Sequence, residues 1–357
     1  MDDLLIDDMQ FQCDLAWRYY YGDENIEINH KTAFDLWQTA AKAGHAESQC
    51  ALCEMYFDGE GVKRNYKLCL EWAKRAADQN HPRALYILGN AYWTGDHIRK
   101  NRKKAMLLIE KSVELGDMLG EYLLAEIYNN GLGVPRNPNV AFVLYKRSSE
   151  QDYNLAKYKL GLMYKDGTGV KKNLSKAFSL FEEYSLEIDG CITEDDAEVL
   201  YELGLMYKNG MGVKKNIHEA LYIFNLLKKV HYLPASYEIG IMYKYGHGVK
   251  KKKNYGEKIL AKIFKSYFTN LKIDPSDQYL NYIIGCMKAQ GDGVKKNLKE
   301  AIEYLETASE LGYIPANSKL VEIYKNLTVK YEDKIFENET ETTANGVYVD
   351  KNMFVVT

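Results

Sequence analysis

Proline is scarce in this sequence: six residues in 357, against 26 glycines and 30 tyrosines. Proline-rich linkers and collagen-like segments are therefore excluded, and glycine is left to punctuate the chain. A strong charge of either sign is also missing. Lys plus Arg number 47 and Asp plus Glu 50, a net charge of −3, which disfavours a globally basic nucleic-acid binder. The opening MDDLLIDDMQ has neither the cationic start nor the apolar run of a secretory signal. No stretch approaches the ~18 apolar residues that cross a bilayer. The expectation is a cytoplasmic protein without a transmembrane segment, delivery by a specialised secretion system being left open.

Cysteine is sparse and irregular. Cys13, Cys50, Cys53, Cys69, Cys191 and Cys286 follow no repeating pattern, which argues against a disulfide ladder and fits a reducing compartment. Cys50-x-x-Cys53 with Cys69 has the thiols for a zinc site, but Cys53 and Cys69 fall where the repeat described below wants small packing residues. Catalytic motifs are missing too: the seven histidines form no H-E-x-x-H, and neither S-x-x-K nor G-x-S-x-G occurs. The glycine-rich GTGVKK at 167–172 lacks the G-K-[ST] ending of a phosphate loop, follows no strand, and has counterparts in most units. The expectation is a chain that is not an enzyme, with no cofactor and no metal.

What is present is repetition. LGLMYKDGTGVKKN (160–173) returns as LGLMYKNGMGVKKN (203–216), with twelve of fourteen residues identical. Its tyrosine serves as an anchor at Tyr19, Tyr56, Tyr92, Tyr128, Tyr164, Tyr207 and Tyr243; Lys288 takes the place once, and Tyr324 closes the series. The steps are 37, 36, 36, 36, 43, 36, 45 and 36 residues, a period that means stacked supersecondary units.

Each unit reads as a helical hairpin. Positions −8, −4, −1 and 0 from the anchor are mostly apolar or tyrosine, as in Ala156, Leu160, Met163 and Tyr164, one stripe of a 3.6-residue helix. The glycine after the anchor (Gly59, Gly95, Gly131, Gly167, Gly210, Gly246, Gly291) suits a left-handed helix end. Asparagine at 65, 101, 137, 173, 216 and 297 is placed to cap the next helix. Gly89, Gly161, Gly204, Gly240 and Gly285 stand three residues before the anchor, and small residues such as Ala105, Ala177, Ala220 and Ala301 are expected to face them across the hairpin.

A-x-x-x-x-L-G-x-x-Y-x-x-G-x-G-V, with a later alanine, resembles the Sel-one-like repeat, a helical-hairpin family related to tetratricopeptide repeats. The best copies are Ala156–Ala177, Leu203–Ala220 and Ala84–Ala105. The resemblance implies an all-α fold: a right-handed α/α solenoid of about eight hairpins plus a terminal helix over residues 11–329. An acidic segment (1–10) would precede it and a flexible tail (330–357) would follow. The third unit departs from the pattern, with Asp96-His97 where Gly-x-Gly is expected. The long steps hide insertions near Ser185–Asp195 and Phe268–Ser276, which should lengthen second helices or make loops.

The resemblance also implies a non-catalytic adaptor or scaffold, monomeric, holding a protein or peptide partner. Two surfaces compete for that role. Position −6 is tyrosine in most units, while position −2 changes from Glu54, Asn90 and Glu126 to Leu162, Leu205, Ile241 and Cys286. If first helices line a concave groove, Tyr158, Leu162, Tyr201, Leu205, Tyr237, Ile241 and Tyr282 form its contact stripe, tyrosine being a frequent interface hot spot. The alternative is a basic ridge in the turns, including Lys171, Lys172, Lys214, Lys215, Lys250, Lys251, Lys295 and Lys296, binding an anionic partner such as nucleic acid, an acidic protein or a membrane surface.

Overall fold

The computed structural model describes residues 2–269, 276–313 and 315–328, with side chains described from residue 8 and, at the end of α14, as far as residue 266. Helices pair into eight hairpins. They are α1 (Asp2–Tyr21) with α2 (His30–Lys42), α3 (Ala46–Asp58) with α4 (Tyr66–Asp78), α5 (Pro82–Thr94) with α6 (Arg102–Glu114), and α7 (Met118–Asn130) with α8 (Pro138–Ser149). There follow α9 (Asn154–Asp166) with α10 (Leu174–Leu186), α11 (Glu194–Asn209) with α12 (Ile217–Lys229), α13 (Leu233–Tyr245) with α14 (Lys253–Thr269), and α15 (Gln278–Gln290) with α16 (Leu298–Glu310). Residues 315–328 form a further helix. Among the described residues there is no strand, only an isolated bridge between Asp23 and Ile26. The fold is an all-α solenoid of helical hairpins. Its second insertion falls mostly, and the tail of 330–357 wholly, outside the described residues.

Local chemistry sets each hairpin. At the end of α9, Gly167 has φ +78 and its N–H meets the Met163 carbonyl at 2.9 Å, the left-handed cap that glycine adopts without strain. A Cβ on Gly167 would sit 3.2 Å from the Cβ of Lys172. The second basic residue of the turn therefore also explains why its partner is glycine. The next glycine, Gly169 (φ +69), answers to a different neighbour, since a Cβ there would collide with the carbonyl oxygen of Pro138 in the preceding hairpin. Asn173 then caps α10, its side chain accepting the Lys176 N–H at 3.0 Å while its own N–H donates to the Tyr164 carbonyl at 2.8 Å. The same cap forms at Asn65, Asn101, Asn137, Asn216 and Asn297.

The joint inside each hairpin differs from the expectation of small facing small. The alanines are fully buried, but a Cβ at Gly161 would run into the Phe181 ring. At Gly204 it would come 2.6 Å from Phe224, at Gly285 2.6 Å from Leu305, and at Gly89 2.8 Å from Ile109. Each glycine thus receives a large side chain one turn beyond the alanine. Close packing at such a joint requires volume on only one side.

The chain divides into two compact units, residues 1–188 and 189–357. The boundary falls in the first insertion. That insertion leaves α10 at 13 residues; it makes the loop 187–193 and extends the following first helix, α11, to 16. The acidic residues 2–10 do not stand apart but begin α1. In the first unit, buried cores join hairpins one and two, two and three, and three to five. In the second, a core around Leu260, Ile284, Met287 and Leu305 joins hairpins seven and eight.

Candidate functional site

First helices touch one another directly, α5 against α7 and α13 against α15. Packing within and between hairpins decides the fate of the tyrosine stripe. Tyr158, Tyr201 and Tyr237 are 2%, 4% and 8% exposed: they are core residues rather than groove contacts, a correction to the sequence expectation. Position −6 points into the packing: Tyr158 lies against Phe181 of its own hairpin (5.9 Å between ring centroids), and Tyr201 lies against Phe224 of its own hairpin at 6.0 Å and against Tyr232 and Tyr279 of the next two at 5.6 and 6.2 Å. Burial raises the Tyr201 and Tyr237 phenols well above the usual tyrosine range. Tyr282 is half-buried, between its hairpin core and Tyr313 at 4.9 Å.

The aliphatic positions keep surface. Leu162 in the first unit and Leu205 and Ile241 in the second are half-buried, while Cys286 is 3% exposed and belongs to the core. Lys171, Lys172, Lys214, Lys215, Lys250, Lys251, Lys295 and Lys296 are all exposed, each in the turn of its own hairpin. None of the eight makes an ion pair among the described residues.

The cysteines separate. Cys53 and Cys69 lie Sγ to Sγ at 2.9 Å in one core cluster, whereas Cys50 packs with Ala84, Leu85 and Leu88 in another. The hydrogen bond with Cys69 and burial push the Cys53 thiol up, and burial does the same to Cys50. Among the described residues no group of three or more His, Cys, Asp or Glu side chains is placed to hold a metal.

Sequence reasoning missed a cavity in the first unit. It has a volume of about 360 Å³ and is lined in part by Glu54, Phe57, Tyr66, Tyr86, Asp96 and His97. The available signals were the acidic residue at position −2 and the broken Gly-x-Gly at Asp96-His97.

The hairpin geometry and the motif meet in one comparison. The Sel1 repeat profile matches eight segments: residues 10–45, 46–81, 82–117, 119–153, 154–183, 197–226, 233–261 and 280–313. The chain belongs to the Sel1 repeat family. Proteins of the Sel1 repeat family generally serve as protein–protein interaction scaffolds and are typically non-catalytic. No curated protein matches this Sel1 repeat chain. Among solved structures it is similar to c5321, a protective antigen present in uropathogenic Escherichia coli strains and displaying an SLR fold. The identity is 24% and the TM-score 0.57, covering 89% of this chain and 65% of that one. It thus spans just under two-thirds of that relative's length. It is also similar to a Sel1 repeat protein from Oxalobacter formigenes, at 24% identity and TM-score 0.55, covering 71% of this chain and 99% of that chain. These likenesses show the fold. No helix of the described residues is long and apolar enough to cross a membrane.

Proposed function

We propose that this Sel1 repeat chain is a non-catalytic scaffold that docks a protein or peptide on the first-helix face of its second unit, around Leu205, Ile241 and Tyr282. One observation carries the reading: position −2 turns from Glu54, Asn90 and Glu126 to Leu162, Leu205 and Ile241, and the aliphatic side chains there keep exposed surface. Aliphatic surface beside a tyrosine anchor is what an interface core uses. Leu162 offers the same chemistry within the first unit.

The test is capture of partners from the native host's lysate by wild type, Leu205→Glu and Tyr222→Glu, with folding checked by circular dichroism. Tyr222 is 65% exposed on α12, a second helix, and serves as the control. A protein held by wild type and Tyr222→Glu at about 0.5 M salt, where surface charges are screened, but lost from Leu205→Glu, supports the reading. Equal capture by all three overturns it.

The second reading is an anionic partner on the turn lysines, favoured by the absence of ion pairs at those eight residues among the described residues. Binding of that kind falls steeply with salt and with the double substitution Lys214→Ala, Lys215→Ala.

A further inference from the structure

The cavity of the first unit is not used by the surface just described. At about 360 Å³ it lies at the small end of ligand pockets, which run from about 300 to 1,000 Å³. It has room for one long side chain and its flanking backbone.

Part of its lining is an aromatic run. Phe57 meets Tyr66 edge-on at 5.5 Å, and His97 stacks on the Tyr66 ring at 3.9 Å with 10° between planes. His97 reaches that ring from the turn where Asp96-His97 replaces Gly-x-Gly, holding the left-handed φ of +58. Such backbone is uncommon for a residue with a side chain, so this departure from the repeat is maintained against a conformational cost. Tyr86 of α5 lines the cavity as well.

The charge is one-sided. Glu54, Asp58 and Asp96 line the cavity, and Arg83 is the only lysine or arginine lining it among the described residues. Arg83 is engaged elsewhere, its Nε 2.9 Å from the Asp117 carboxylate and its guanidinium over the Tyr86 ring at 5.9 Å. Among the described residues no group hydrogen-bonds or ion-pairs with the Glu54 carboxylate. Burial pushes Glu54 up from the usual carboxylate range, which Arg83 only partly offsets. The Glu54 carboxylate is left to solvent and to the charge of Arg83, so a donor entering the cavity would find it unoccupied by any protein group among the described residues.

A guanidinium satisfies both features at once. Its flat face stacks on aromatic rings and its edge donates a pair of N–H groups to a carboxylate. We propose that this cavity receives an arginine side chain of a partner protein, its guanidinium against the Phe57, Tyr66 and His97 rings and hydrogen-bonded to Glu54. The scaffold reading is needed only for the source of the arginine; the preference for a guanidinium belongs to the cavity.

The test is calorimetric titration of the full chain with three probes: the capped tripeptide acetyl-Gly-Arg-Gly-amide, its uncharged citrulline isostere, and spermidine. The arginine peptide should bind at least about tenfold tighter than the citrulline peptide, the worth of one charged hydrogen bond. Glu54→Gln should abolish that difference without lowering the melting temperature, because no protein hydrogen bond among the described residues is lost with the charge. Phe57→Leu, at a side chain 53% exposed, should weaken the arginine peptide about fivefold through loss of stacking. Leu205→Glu in the other unit should change nothing, so failure of the groove and failure of the cavity are read separately. Equal binding of arginine and citrulline, no binding of either, or a preference that survives Glu54→Gln overturns the proposal. Glu54-dependent binding of spermidine tighter than the arginine peptide overturns a protein as the source.

Discussion

The thiols of Cys53 and Cys69 lie 2.9 Å apart, and Ala73 is the fully buried residue one turn beyond Cys69. In other hairpins the same three places hold Gly161, Ala177 and Phe181, or Gly204, Ala220 and Phe224. The second hairpin has redistributed the volume: two sulfurs stand where glycine and alanine sit, and alanine stands where the large ring goes. Its cysteines are therefore explained by packing.

The redistribution predicts strong coupling. Cys53→Gly leaves a void and adds backbone freedom, and should cost about 2 kcal/mol. Ala73→Ile alone overfills the joint and should cost about 1–3 kcal/mol. The double variant approaches the Gly89, Ala105, Ile109 arrangement of the next hairpin, with Cys69 still in the alanine's place, and should recover part of the loss. A double-mutant cycle from urea unfolding measures this non-additivity.

Lys244 and Asp292 form the most deeply buried ion pair of the second unit among the described residues. Asp292 is 0% exposed and accepts from Lys244 Nζ and from the Tyr245 hydroxyl, both at 2.7 Å. Asp292→Ala removes the buried partner of the ammonium, leaving Glu257 at 3.7 Å and the Tyr245 ring at 5.4 Å, and should cost about 3 kcal/mol. Lys244→Met with Asp292→Leu removes both charges and should cost far less. Hydrogen exchange of α13–α16 is the suitable readout, since repeat arrays can lose stability locally.

His45 makes the first unit sensitive to mild acid. Its Nδ1 accepts the Ser48 N–H at the start of α3, an arrangement open only to the neutral ring. Burial lowers its pKa from the ordinary 6.5. A folded pKa below the unfolded one means the stabilisation is complete above the unfolded value and is lost as pH falls through the folded one. The melting temperature should therefore fall between about pH 7 and 5. His45→Asn, which caps without titrating, should flatten that part of the profile.

Thiol reactivity should single out Cys191. It is exposed, and the other five cysteines are buried, three of them with thiols raised by burial (Cys13, Cys50 and, to about 11, Cys286). Ellman's reagent should therefore titrate one thiol rapidly in the native protein and all six in guanidinium. Cys191→Ser should remove the rapid phase.

The features legible in the sequence were those whose physics is local. Gly167 and Asn173 were readable because a left-handed helix end and an orphan amide each demand a particular residue at a particular place. Repetition of those demands every 36 residues or so gave the hairpin count, and the longer steps marked where the regularity breaks. The helical wheel identified Leu162, Leu205 and Ile241 as one position, and Glu54 and Glu126 as its polar counterpart.

What lay between hairpins was decided only in three dimensions. Tyr158, Tyr201 and Tyr237 share a helix face with surface residues, yet packing against Phe181, against Phe224 and Tyr232, and against the core of hairpins seven and eight puts them inside. The Lys244–Asp292 pair joins residues 48 apart, and the cavity takes its lining from α1, α3, α4, α5, α7 and the Asp96-His97 turn. A repeat specifies its own caps and stripe because backbone geometry reaches only a few residues along the chain. Burial and charge pairing depend on what the next repeat brings, and that is fixed only when the hairpins pack.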